Sequence, residues 1–237
     1  MLALLLAAQL SGNAAPGYLY RATLLQAAPG KILEVVEMWR SGWPGLRGSG
    51  DEPPVAMRHS QGDRWDLLLI FPMASFEAYF AGERVARRRK AQDADRPRLD
   101  RLREDVAWQE DVFVDGPPLE ALRKAFDGAG FFHVEMFETL PGRGRDLHRE
   151  REMENTYAKV VGQPENLIFT RVSGAPWDLF TVGAYRDLKH YAESSDVPEA
   201  KAAEAARAAG FEDAKHIGPY LRTLIALHHD TLAVAMK

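Results

Sequence analysis

Two hydrophobic periods take turns along the chain. Tyr18, Tyr20, Ala22 and Leu24 alternate with Leu19, Arg21, Thr23 and Leu25, the two-residue period of a strand. Ala28-Pro29-Gly30 breaks that pattern. Ile32, Val35, Val36, Trp39 and Trp43 then recur at the three- and four-residue spacing of an amphipathic helix. Residues 44–54, rich in Gly and Pro, predict a loop. Residues 55–60 and 65–71 predict two strands joined through Gln61-Gly62-Asp63, hence an antiparallel hairpin. Ser75 is placed to cap a helix carrying Phe76, Tyr79 and Phe80. The stretch 83–105, dense in Arg and Asp and interrupted by Pro97, reads as a solvated helix with a loop or as a patch for an acidic ligand. A strand over 108–114 completes the series, followed by a linker at Gly116-Pro117-Pro118 and a short helix Leu119–Phe126.

The same order then repeats. It comprises a strand Phe131–Thr139, a helix over 145–161, a hairpin of strands 167–172 and 177–182, and helical runs from Leu188 and over 198–209. A final strand is expected over 221–229, with His228-His229-Asp230 as its terminal turn. Trp65-Asp66-Leu67 and Trp177-Asp178-Leu179 lie 112 positions apart, as do Tyr79 and Tyr191, and Pro29-Gly30 and Pro141-Gly142. One offset shared by three landmarks marks an internal duplication. Each copy is a β-α-β-β-α-β, ferredoxin-like unit. The fold class is therefore α+β, with the repeats at 17–116 and 130–237 and a linker at 117–129. The helices cover one face of each sheet, and the two bare faces can bury each other.

Composition adds limits. A net charge of -4 gives no electrostatic case for nucleic acid, and the absence of cysteine excludes disulfides, thiolate metal sites and cysteine nucleophiles. Residues 1–16 carry no charged side chain and read as a signal peptide, implying a periplasmic or secreted protein, or as an N-terminal tail of a cytoplasmic one. The apolar run is too short to span a bilayer, so no integral membrane segment is expected in the mature chain. The sequence leaves monomer and homo-oligomer both open.

With the first strand running into Ala28-Pro29-Gly30-Lys31, the Trp177-Asp178-Leu179 hairpin and Tyr185-Arg186-Asp187-Leu188, the chain resembles the dimeric α/β-barrel superfamily in tandem form. That group includes antibiotic-biosynthesis monooxygenases, NIPSNAP-type and EthD-like proteins. The resemblance implies an intramolecular α/β barrel and is poorly specific for activity. Many single-domain monooxygenases of the group carry a His near the positions of Glu193 and Ser194, where this chain has none; His190 lies one turn earlier. Chlorite-dismutase-like members pair a proximal His with a strand-two Arg. Arg171 suits the Arg, but residues 155–165 hold no His. The resemblance thus leaves haem open without supplying its ligand.

Comparing the copies singles out candidate chemistry in the second one. Val36 and Trp39 of the first long helix correspond to His148 and Arg151, and Asn155 follows on the same face. A register on Leu147, Tyr157 and Val161 turns Glu150 and Glu154 inward instead. Either way the helix presents polar groups to its sheet: a ligand-accepting cleft, or a helix displaced outward with its charges solvated. His133 and Glu135 share a strand face and suit a general acid/base pair, or a satisfied network if that face is where the copies meet. His148 and Glu152, one turn apart, form a weak metal pair, and no metal site is assigned. Trp65 and Trp177 suit an aromatic wall or a hairpin anchor. No short cofactor motif is present. The reading is a protein that binds an apolar or aromatic small molecule, with Trp177, Arg151, Asn155, Arg171, Tyr157 and His190 as candidate contacts. The alternative is a cofactor-independent monooxygenase or haem-linked oxidoreductase using His148, His133 and Glu135.

Overall fold

The computed structural model describes residues 17–236, so the N-terminal apolar run lies outside the described residues. The first copy contains β1 (Tyr18–Ala27), α1 (Ile32–Gly48), β2 (Val55–Gln61), β3 (Leu67–Ala74), α2 (Phe76–Phe80), α3 (Gly82–Ala94), α4 (Arg96–Glu104) and β4 (Val106–Gly116). After α5 (Leu119–Phe126) the second copy contains β5 (Phe131–Thr139), α6 (Gly144–Val161), β6 (Leu167–Ser173) and β7 (Leu179–Tyr185). It continues with α7 (Leu188–Ala192), α8 (Glu199–Ala209), α9 (Ile217–Arg222) and β8 (Ile225–Ala235). No helix among the described residues is long and apolar enough to cross a membrane.

The strands close into one antiparallel barrel in the order β1-β3-β2-β8-β5-β7-β6-β4. The two ferredoxin-like sheets meet at both edges, through β2 with β8 and β4 with β6. Their bare faces form the barrel interior. Tyr20, Ala22 and Leu24 from β1 pack there with Phe132, Val134 and Met136 from β5, Phe169 from β6 and Phe180 from β7. The odd-numbered residues of β1 point outward, where Leu25, Leu67, Leu69 and Phe71 pack on Val35, Trp39 and Trp43 of α1. The alternation on β1 thus divides one face for the barrel and one for the helices.

The repeated Trp-Asp pair has a definite task. Trp65 and Trp177 are buried in the barrel core just before β3 and β7. The following Asp ties that corner to the end of the copy's first strand. Asp66 Oδ2 accepts from the Ala27 N–H at 2.8 Å, and Asp178 Oδ2 accepts from the Thr139 N–H at 2.9 Å. The aspartate N–H groups donate back to Leu25 and Phe137, both at 2.8 Å. Ala27 and Thr139, like Leu25 and Phe137, keep the 112-residue offset. The duplication therefore extends to individual hydrogen bonds.

Several expected elements differ. Residues 44–48 continue α1 through Pro44 rather than forming a loop, because Trp43 and Leu46 pack on the sheet and outweigh the one helical hydrogen bond that proline removes. Pro97 lies in the first turn of α4, where its missing N–H has no helical partner to lose. The arginines of this region are not simply solvated. Arg84 and Arg88 turn inward to the buried Asp51, with Nε–oxygen distances of 2.7 and 3.3 Å. Leu221 belongs to α9, and β8 runs on to Ala235. His228-His229-Asp230 is therefore mid-strand and paired with β5, not a terminal turn.

Candidate functional site

The polar face of α6 is buried. Glu150 and Arg151 have 0% and 1% of their side chains exposed, so the helix is not displaced outward. Arg151 spreads its guanidinium among three carboxylates: Nε donates to Glu150 at 2.6 Å, one terminal nitrogen donates to Glu154 at 2.9 Å, and the other donates to Glu135 on β5 at 3.4 Å. It also lies 4.8 Å from the centre of the Phe137 ring. A buried guanidinium needs such company, since its planar donors cannot be left unpaired away from water.

Burial raises the carboxyl pKa values here, opposed by Arg151 and reinforced by the neighbouring acids. Glu150 is raised, and Glu154 is pushed up to about 7. Burial would lower the imidazole of His133, but its hydrogen bond to Asp230 and the charges of Glu135 and Glu154 raise it on balance. Tyr185 is pushed up to about 12 by burial, with Tyr191 and the nearby carboxylates adding to the effect.

His133, Glu135 and Arg151 are thus brought together, on the face of β5 that meets α6 and not on the face where the copies meet. His133 Nε2 lies 3.1 Å from Asp230 Oδ1, and Glu135 Oε2 accepts from Thr181 at 3.2 Å. The other singled-out residues stand apart. His148 is on the exposed side of α6, 3.7 Å from Glu152. Asn155 holds the backbone of Asn166 through both of its amide atoms, at 2.7 and 2.9 Å. Tyr157 packs toward α8 and Phe211. Arg171 is bound to Asp178 and to the Ala175 carbonyl. His190 Nδ1 accepts from the Arg186 N–H at 3.2 Å. Trp177 lines a small cavity of 280 Å³ at one mouth of the barrel, with Trp65, Trp108 and Glu110.

A larger cleft, 740 Å³, lies in the first copy between the sheet and helices α1, α3 and α4. Its sheet wall is Phe71, with the Arg21 guanidinium 4.4 Å over the ring and Trp39 tilted against it at 5.7 Å. Its far wall carries Tyr79, covered by Arg88 at 3.7 Å. Arg98 of α4 reaches the Met38 carbonyl at 2.6 Å and passes over Gly42, where a Cβ would sit 2.6 Å from the guanidinium. Glycine at this point of α1 lets the arginine cross. Arg21 Nε and Trp39 Nε1 are buried at this wall, with no hydrogen-bond acceptor among the described residues. Sequence reasoning read Trp39 as core and Arg21 as a strand residue. The signal available was that Arg21 shares its face with the apolar stripe of α1.

Fold and clefts together define a dimeric α/β barrel made from one chain. The solved structures that this chain resembles share that architecture. An anthrone oxidase-like protein is 11% identical, with 93% of this chain and 92% of that one covered and a TM-score of 0.58. A proposed monooxygenase from Lactobacillus acidophilus NCFM is 9% identical over 93% and 95% of the two chains, with a TM-score of 0.53. A chlorite dismutase variant from Candidatus Nitrospira defluvii is 9% identical over 94% and 92%, with a TM-score of 0.50. At such identity the likeness is one of fold. No family model and no curated protein matches the sequence.

Proposed function

We infer that the protein binds a small organic molecule with an aromatic or apolar body and an acceptor or anionic end. The ligand lodges between sheet and helices in the first copy. The observation that carries this is the cleft itself. Its volume of 740 Å³ falls in the range of ligand sites, about 300–1,000 Å³. It is lined by the rings of Phe71, Trp39 and Tyr79 and by the cationic side chain of Arg21, whose nearest carboxylate is that of Asp111 at 3.7 Å from Nε. The Arg21 side chain is 28% exposed, and its guanidinium can donate a charge-assisted hydrogen bond to an oxygen at the ligand's acceptor or anionic end. Apolar contact with these rings then supplies affinity with little ordering of the protein.

Titration with 2-naphthoate, followed by quenching of tryptophan fluorescence, tests the reading. Saturable binding is expected, weakened about ten-fold in Arg21→Gln by loss of one charge-assisted hydrogen bond. Binding that is absent, or unchanged in both Arg21→Gln and Trp39→Leu, would overturn it.

A further inference from the structure

The copies carry different charges at one place on their outer sheet faces. In the first, Arg21 and Thr23 of β1 lie beside Asp111 of β4, and Arg21 Nε is 3.7 Å from the Asp111 carboxylate. In the second, the corresponding residues are His133, Glu135 and Asp230 of β5 and β8, with Glu135 directly opposite Asp230. A permanent cation has become an imidazole, and a hydroxyl has become a carboxylate.

The second copy is therefore short of positive charge. Four carboxylates gather there, those of Glu135, Glu150, Glu154 and Asp230. Among the described residues, Arg151 is the guanidinium that touches them, contacting the first three. Carboxylates held partly away from water need a compensating cation or a proton. One donor atom each from His133, Glu135 and Asp230 lies within 4.8 Å of the other two. The His133 Nε2 to Asp230 Oδ1 distance is 3.1 Å. Two cis ligands of an octahedral ion with bonds of about 2.1 Å stand about 3 Å apart, so this pair already has that spacing. Glu135 uses Oε2 for Arg151 and Thr181, which leaves Oε1 without a hydrogen-bond partner among the described residues.

We propose that His133, Glu135 and Asp230 bind a divalent first-row transition ion, Mn²⁺, Fe²⁺ or Zn²⁺. One imidazole nitrogen with carboxylate oxygens suits these ions better than calcium or monovalent copper. Behind the ligands, Arg222 donates to His228 Nδ1 at 3.0 Å. That contact places the His228 proton on Nε2, which faces Asp230 Oδ2 at 3.0 Å. Such outer contacts orient a ligating carboxylate. Asp230 is half-exposed, so the ion has a side open to water or to a further ligand. The site is in the other copy from the aromatic cleft and does not depend on it.

The test uses the full chain after EDTA treatment, titrated with Mn²⁺ alone and followed by calorimetry and electron spin resonance. The expected result is one ion per chain, with a ¹⁴N modulation in the spin echo from the coordinated imidazole. His133→Gln should lose the modulation and weaken binding at least about ten-fold. Asp230→Asn, at a half-exposed position that the fold tolerates, should weaken binding similarly and keep the modulation. His148→Ala, at the exposed pair with Glu152, should bind as the parent does. The proposal is overturned if the parent takes up no Mn²⁺ or shows no ¹⁴N modulation. It is equally overturned if folded Asp230→Asn binds like the parent, or if His148→Ala abolishes binding.

Discussion

Glu150 and Arg151 are consecutive residues of α6, and both turn into the seam between that helix and the sheet, where Arg151 Nε meets the Glu150 carboxylate at 2.6 Å. Both side chains are buried. Removing one partner strands the other charge. Arg151→Leu is expected to cost about 3–5 kcal/mol in urea unfolding, and adding Glu150→Leu should restore part of it. A single variant as stable as the parent would show the seam to be wetter than the geometry indicates.

The same seam sets a pH dependence. Glu154 sits among Arg151, Glu150, Glu135 and His133, and burial pushes its pKa up to about 7 from 4.5. The folded state therefore holds a proton that the unfolded state has already lost between those values. Stability should fall as the pH rises from about 4.5 to above 7, by up to about 3 kcal/mol from this group. In EDTA-treated protein, Glu154→Gln should flatten that part of the stability profile. An unchanged slope would remove Glu154 as its source.

Gly42 and Arg98 give a steric test in the first copy. Gly42→Ala places a methyl group 2.6 Å from the guanidinium, so the arginine must leave the Met38 carbonyl or α1 must shift. A loss of about 1–3 kcal/mol is expected, and it should shrink in the background of Arg98→Ala. Equal losses in both backgrounds would assign the effect to α1 alone.

The paired corner aspartates should not be equal in cost. Asp66 accepts one hydrogen bond from the chain end of β1. Asp178 accepts two from Thr139 and also holds Arg171. Asp178→Ala is expected to destabilise by about 1–2 kcal/mol more than Asp66→Ala, measured as the difference in denaturant midpoint at constant slope.

Legibility from sequence followed the local patterns. The two-residue alternation of β1 and β5 and the 112-residue offset led to the duplicated α+β barrel, because strand faces and repeats are written in neighbouring residues. The departures arose where distant contacts outweighed local signals. Pro44 was outweighed by the packing of Trp43 and Leu46, and the charge-rich α3 was drawn inward by Asp51. His133 and Glu135 could be named from one strand. Asp230 could not be joined to them, because the register of β8 against β5 links positions 95 residues apart for Glu135 and Asp230. The large cleft escaped notice for a related reason. An aromatic stripe on α1 reads as core, and no local pattern reveals that α3 and α4 stand off from it.

The joint between β2 and β8 also has a temporal meaning. Met57 and Arg58 hydrogen-bond with the strand that ends at Ala235, so the barrel cannot close until synthesis has passed that point. Until then the nascent first copy carries an open strand edge and a bare apolar sheet face. Loop closure over such a separation is slow relative to local hairpin formation. For this chain, the interval between making β2 and making β8 is when misassembly with another copy has its opening.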